Sequence, residues 1–245
     1  MMNTVPPNHQ GPGDKIMVIV AHPDDAEFMV SGSVAAWTKA GKEVVYVLVT
    51  SGDKGSEDPN IVPSELAAQR EVEQRSVCDI LGVGPIEFLR HEDGTVQSDL
   101  ILRKDIVRAI RKHKPSAVVT QNPTVRWSGN YVNHPDHRAT GDATMDAVFP
   151  SARDVHMFPE LKITEGFDPH IVPHLYLGDR TEDADVIFDI SDTIETKVKA
   201  LAAHASQVHD PEQTGVRVRE GAALIGSRAG FAHAESFKYF YLGKE

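Results

Sequence analysis

Two short segments concentrate the ionisable chemistry of this chain: His22-Pro23-Asp24-Asp25 and His134-Pro135-Asp136-His137. Imidazoles and carboxylates gathered in this way are the donors of a divalent cation held by nitrogen and oxygen. Twelve histidines against a single cysteine exclude a thiolate-rich site. Across the proline turn, His22 and Asp25 can reach one ion. His134 and His137 stand three apart at a helix start and share a face. A catalytic zinc site commonly takes two histidines and one carboxylate and leaves a position for water. Four candidates are one too many for that, which frees one histidine for acid or electrostatic work. Asp24 lies beside Asp25 but cannot easily point the same way, which makes it the natural base for the activated water.

The elements that must position these groups follow from the apolar pattern. "KIMVIVA" reads as a buried strand that stops at His22, and Glu27 to Gly41 has helical spacing. "EVVYVLVTS" is a second strand, and Ser64 to Gly82 a helix with Ser64 as its cap. "PIEFLR" is a third strand. Leu100 to Lys114 is a helix with Ile101, Ile106, Val107 and Ile110 facing inward, and "SAVVTQ" is a fourth strand. A polar loop, Gln121 to Asn133, leads to a helix opening at His134. "HIVPHLYLG", "DVIFDI" and "FKYFYL" read as later strands, with helices over Ser191–Ala205 and Arg217–Gly230.

Alternating strands and helices, with strands apolar on both faces, predict an α/β fold: a Rossmann-like three-layer sandwich with a mostly parallel sheet and a C-terminal elaboration. With strand order 3-2-1-4-5, the first and fourth strands flank the point where the order reverses, and ligands bind there, outside the carboxyl ends of the strands. The two His-Pro-Asp segments would then meet in one crevice. Residues 1–14, rich in proline and glycine, read as a flexible leader, and residues 15–245 as a single domain.

The remaining composition narrows the function. A net charge of −11 disfavours a nucleic-acid partner. No run approaches the ~20 apolar residues of a membrane span, which removes a membrane partner. The amino terminus lacks a basic segment followed by an apolar one, so a cytoplasmic location is the default. Cys78 falls among apolar helix positions and reads as a small core residue.

The motifs resemble those of the zinc-dependent N-acetylglucosamine-type deacetylases, the LmbE or PIG-L family. That family's "AHPDDxE" stands here as Ala21–Glu27, and its "HPDH" as His134–His137. "TSGDKGS" (Thr50–Ser56), Arg70 and Glu73 followed by Leu81-Gly82-Val83, "HEDG" (His91–Gly94), "KVKALAAHASQ" (Lys197–Gln207) and "AESF" extend the resemblance along most of the chain. It implies one Zn2+ per chain, with Fe2+ as the other candidate, held by His22, Asp25 and His137. It implies Asp24 as general base, His134 as the partner of the oxyanion, and Arg70 and Asp93 at the substrate. The spacing also lets Asp136 orient His134 through a ring N–H. The expected substrate is a small N-acetyl amino sugar or glycoconjugate, and the resemblance allows a homo-oligomer.

The competing readings use other chemistry. An amidase on another N-acyl or thiol-sugar conjugate would use the same site with a different pocket. Phosphoester cleavage usually needs two ions and more carboxylates. A non-catalytic metal or sugar module has no need of Asp24. Dinucleotide binding lacks its glycines after the first strand.

Overall fold

The computed structural model describes residues 11–181 and 183–243. Four strands, β1 (Lys15–Val20), β2 (Glu43–Thr50), β3 (Ile86–His91) and β4 (Ala117–Gln121), lie parallel in the order β3-β2-β1-β4. A two-strand hairpin, β5 (Trp127–Ser128) and β6 (Tyr131–Val132), stands apart within the segment expected to be loop. The sheet continues through β7 (His174–Gly178), parallel to β4. The two outermost strands are β8 (Val186–Asp189) and β9 (Ala234–Tyr241). β9 runs antiparallel to both β7 and β8, which completes the order β3-β2-β1-β4-β7-β9-β8. The expected order 3-2-1-4-5 is therefore present, with β7 as its fifth strand.

Alternation along β1 builds two cores. Ile16, Val18 and Val20 pack with Val34 and Trp37 of α2 (Ser31–Lys39) and with Val77, Cys78 and Leu81 of α3 (Pro63–Leu81). Met17 and Ile19 face the other layer, where Leu102, Ile106, Val107 and Ile110 of α4 (Leu100–His113) meet Ala143 of α5 (Pro135–Asp146). Each large side chain buried this way stabilises the sandwich by about 1.5–3 kcal/mol. α6 (Pro159–Ile163), α7 (Ile194–Ala202) and α8 (Pro211–Ser227) complete the chain.

Several local expectations need correction. The first helix is broken: α1 (Asp25–Met29) ends at Val30 before α2 starts. Ser64 does not cap α3, because Pro63 takes the first helical position and its ring presets the helical φ. Ile101 is 68% exposed and Leu102 is buried in its place. Asp99 caps α4 by accepting from Ile101 N and Leu102 N, and this sets the phase of the helix. The last long helix begins at Pro211, capped by Asp210, ahead of the expected Arg217. Of the 1–14 leader, residues 1–10 lie outside the described residues. Pro12 to Asp14 are tied to the sheet: Pro12 O accepts from Ser116 Oγ at 3.0 Å, and Asp14 O accepts from Glu43 N at 2.9 Å.

At the end of the sheet where β4 begins, Arg111 is 1% exposed. Its guanidinium donates to the carbonyls of Ser151, Ala152, Asp154, Met157 and Phe158, fixing the segment after α5. Among the described residues, no helix is long and apolar enough to cross a membrane.

Candidate metal and catalytic site

Four loops converge at the carboxyl ends of the parallel strands. β1 delivers His22, Asp24 and Asp25, β2 delivers Gly52, β3 delivers Asp93 and Gly94, and the segment after β4 delivers Asn133 to His137. The crevice opens where β1 and β4 part, and Gln121 bridges the two by accepting from Ala21 N at 3.1 Å. The two His-Pro-Asp segments do meet there.

Asp25 is the hub. One carboxylate oxygen lies 3.0 Å from His137 Nε2, and the other lies 3.2 Å from His22 Nδ1 and accepts from His22 N at 2.8 Å. Burial opposes its ionisation, yet His137 and His22 hold the carboxyl far below the usual carboxylate range. The second ring nitrogen of each histidine is also engaged. His137 Nδ1 is 3.0 Å from Asn133 Oδ1, and His22 Nε2 is 3.1 Å from Asp93 and 3.3 Å from Asp136. Burial would lower the pKa of His22, but Asp136, Asp25 and Asp93 together raise it to about 12.

His134 caps α5. Its Nδ1 accepts from Asp136 N at 3.2 Å, so the ring proton of the neutral form belongs on Nε2. Burial and the neighbouring His22 keep its pKa below the ordinary imidazole value. Its ring centroid lies 4.9 Å from that of His22 and 5.3 Å from that of His137. Ligand-type atoms of His22, His134 and His137 lie within 4.8 Å of one another, as do those of His22, Asp93 and Asp136.

The expected Asp136–His134 contact is not made. Asp136 Oδ1 is 4.0 Å from His134 Nδ1, a nitrogen already used as an acceptor. The other carboxylate oxygen turns to His22 and accepts from Gly94 N at 2.7 Å. Asp136 therefore serves the first histidine of the cluster.

Asp24 sits between β1 and α1 with φ 96°, a left-handed conformation that costs a non-glycine residue about 1–3 kcal/mol. Burial, then the charge of Asp25, raises its pKa to about 7 against the pull of Arg70. Arg70 is buried, expected at the substrate but turned toward the protein. It donates to Gly52 O at 2.9 Å and Pro23 O at 2.6 Å, and lies 3.4 Å from Asp24 Oδ2. A side chain at Gly52, where φ is 67°, would collide with this guanidinium. Asp93 is likewise buried, accepting from Lys54 N at 3.0 Å beside His22, which holds its pKa at about 2 against burial.

The donors fit a cation. Each of His22 and His137 offers one nitrogen to the shared carboxylate while an acceptor holds the other, the arrangement that orients metal-binding imidazoles. Sequence reasoning missed Asn133, which stands inside "NHPDH" with no signal of its own. It also missed Gln74, whose Oε1 accepts from Asp24 N at 3.3 Å and whose Nε2 donates to Glu27. The aromatic residues of the hairpin, Trp127 and Tyr131, are exposed.

Comparison with known proteins gives the family. Residues 17–148 match the family described as PIG-L: GlcNAc-PI de-N-acetylase. The chain belongs to the PIG-L family. It is 32% identical over 227 residues to a diacetylchitobiose deacetylase of Thermococcus kodakarensis, covering 92% of this chain and 82% of that one. Its fold superposes on the N,N′-diacetylchitobiose deacetylase of Pyrococcus horikoshii with a TM-score of 0.87 and 28% identity, covering 97% of this chain and 87% of that one. A 4-carboxy-2-hydroxymuconate hydratase of Pseudomonas putida has the same fold, with a TM-score of 0.76 and 18% identity over 95% of this chain and 98% of its own. The fold alone therefore does not choose the reaction.

Proposed function

We propose that this PIG-L family member hydrolyses the N-acetyl group of a small N-acetylglucosamine-type sugar, releasing acetate and a free amine. The observation that carries the reading is the Asp25 carboxylate set between His22 Nδ1 and His137 Nε2, with Asp24 beside it. His22, Asp25 and His137 would hold one divalent cation, zinc in the first instance and ferrous iron in the second. When bound, such an ion supplies Lewis acidity, polarising the amide carbonyl and acidifying water.

The chain's own groups do the proton work. Asp24 takes a proton from the attacking water, whose oxygen bonds to the acetyl carbon. In the metal-free chain burial and the charge of Asp25 favour the protonated form of Asp24; a cation held by Asp25 would oppose that charge and leave the Asp24 carboxylate able to act as the base. His134, neutral with its proton on Nε2, donates to the developing oxyanion, a contribution of about 2.7–4 kcal/mol in comparable sites. As the C–N bond breaks, Asp24 passes its proton to the leaving nitrogen. Arg70 holds Asp24 in place, and Asp93 and Asp136 hold His22.

The test is acetate release from N-acetylglucosamine, N,N′-diacetylchitobiose and N-acyl thiol-sugar conjugates, with metal analysis of the same samples. The expected result is acetate and amine in equal amounts from an N-acetyl sugar. Asp24→Asn should retain its metal and lose about 10²–10⁴-fold in turnover. Full turnover in Asp24→Asn, or a metal-loaded protein that releases no acetate from the panel, would overturn the reading.

A further inference from the structure

α1 is five residues long and ends at Val30, whose φ of −139° and ψ of 0° break the helix before α2. Two helix ends therefore meet in the interior, one presenting unpaired carbonyls and the other unpaired N–H groups. Two charged side chains from the last third of the chain serve both ends, beside Ser31 Oγ, which donates to Glu27 O at 2.9 Å, and Arg180, which donates to Phe28 O at 3.0 Å. Lys197 Nζ donates to Glu27 O at 2.8 Å and to Phe28 O at 3.1 Å. Glu235 accepts from Gly32 N at 3.0 Å, from Ser33 N at 2.8 Å and from Ser33 Oγ at 2.6 Å. The two pair with each other at 2.7 Å, with side chains only 4% and 5% exposed. Their signs suit the two helix dipoles, a cation at the carboxyl end of α1 and an anion at the amino end of α2.

The same stretch grips α1 a second time. His204 Nε2 lies 2.9 Å from the buried Glu27 carboxylate, which also accepts from Gln74, the residue that holds Asp24 N. α1 begins at Asp25 and is entered through the strained Asp24. A helix this short has little stability of its own, so its placement depends on such external ties.

We propose that Lys197 and Glu235 are positioning residues for the hydrolysis: by joining both ends of the helix break they fix α1, and with it the backbone that aims Asp24 and Asp25. This rests on the hydrolytic reading above, which gives those aspartates their roles. Both residues lie beyond residue 148, where the family model's match ends, in the segments Lys197–Gln207 and "AESF" whose sequence resembles the family.

A buried ion pair adds little stability over a neutral replacement of similar shape, whereas breaking one leaves a charge stranded. The informative variant therefore removes both charges, Lys197→Met with Glu235→Gln. Arg111→Met, at the opposite end of the sheet, serves as a destabilised control. Hydrogen exchange of the Ala26–Val30 amides is measured without metal or substrate, together with Tm, and kcat and KM are measured per bound cation. The expected result is exchange at least tenfold faster in α1 but unchanged in β1, and kcat per bound cation at least tenfold lower with KM within twofold. Arg111→Met should lower Tm and leave kcat per bound cation unchanged. Unchanged α1 exchange, or an equal loss of kcat in Arg111→Met, overturns the proposal. Should the double variant not fold, Glu235→Gln alone should speed α1 exchange at least threefold, and unchanged exchange would overturn the proposal equally. Faster α1 exchange in the double variant, alongside a metal-loaded wild type that releases no acetate, would overturn the hydrolytic reading and leave the tie between these two residues and α1 standing.

Discussion

Asn133→Ala tests whether His137 is a metal-binding imidazole set in place by its neighbour. Asn133 Oδ1 lies 3.0 Å from His137 Nδ1 and keeps that nitrogen as the donor, so that Nε2, 3.0 Å from Asp25, is the nitrogen a cation would take in exchange for its proton. Its amide nitrogen donates to Val125 O at 2.8 Å, so the acceptor itself is fixed. Loss of one neutral hydrogen bond costs about 0.5–1.5 kcal/mol, or about 2- to 13-fold in affinity. Freeing the ring to rotate and to change tautomer adds to this, and the orienting partners of metal-bound histidines are typically worth about 10–100-fold. The expectation for Asn133→Ala is therefore about 10–100-fold weaker zinc binding, measured by competition with a chromophoric chelator, with secondary structure intact by circular dichroism. Asn133→Asp keeps an acceptor for Nδ1 but sets a charged carboxylate oxygen against Val125 O in place of the donor, so it should recover part of the affinity. Wild-type affinity in Asn133→Ala would refute the reasoning.

His137→Ala should lower metal content, whereas His134→Ala should keep the metal and lose turnover; metal analysis of both variants exchanges the two roles if the pattern is reversed. Asp24 makes stability depend on pH in the metal-free protein. Its pKa is raised from 3.8 to about 7 on folding, so the folded chain keeps a proton that the unfolded chain loses. Stability from this group is complete below pH 3.8, falls as pH rises toward 7 and stays lost above it. Metal-free Asp24→Asn should accordingly have a higher Tm than wild type at pH 8, and the difference should shrink as pH falls below 7. A Tm difference independent of pH would assign the effect to packing.

Much of the site was legible because its parts lie at the ends of apolar runs. The runs at Lys15, Glu43 and Ala117 have to be core strands, and the reversal between β1 and β4 has to open beside His22 and His134. What stayed hidden depends on contacts that no local pattern records. Asp136 is two residues from His134, yet its carboxylate is used by His22, which only the folded chain brings near. Arg70 and Asp93 have the chemistry of sugar contacts, but burial commits them to Pro23, Gly52, Lys54 and His22. The break at Val30 is marked in the sequence only by the Ser31-Gly32-Ser33 that follows it, and the side chains that stabilise it lie far along the chain. The hairpin at Trp127 and Tyr131 is too short to announce itself by alternation.

Asn133 also closes the base of that hairpin, donating through its backbone to Arg126 O at 2.9 Å and through its side chain to Val125 O. The exposed tip is thus mounted on a residue whose remaining atom steadies His137. Tyr131 Oη of the hairpin donates to that same Asn133 Oδ1 at 3.4 Å, so hairpin and imidazole share one anchor atom and a change in the exposed tip is felt at His137.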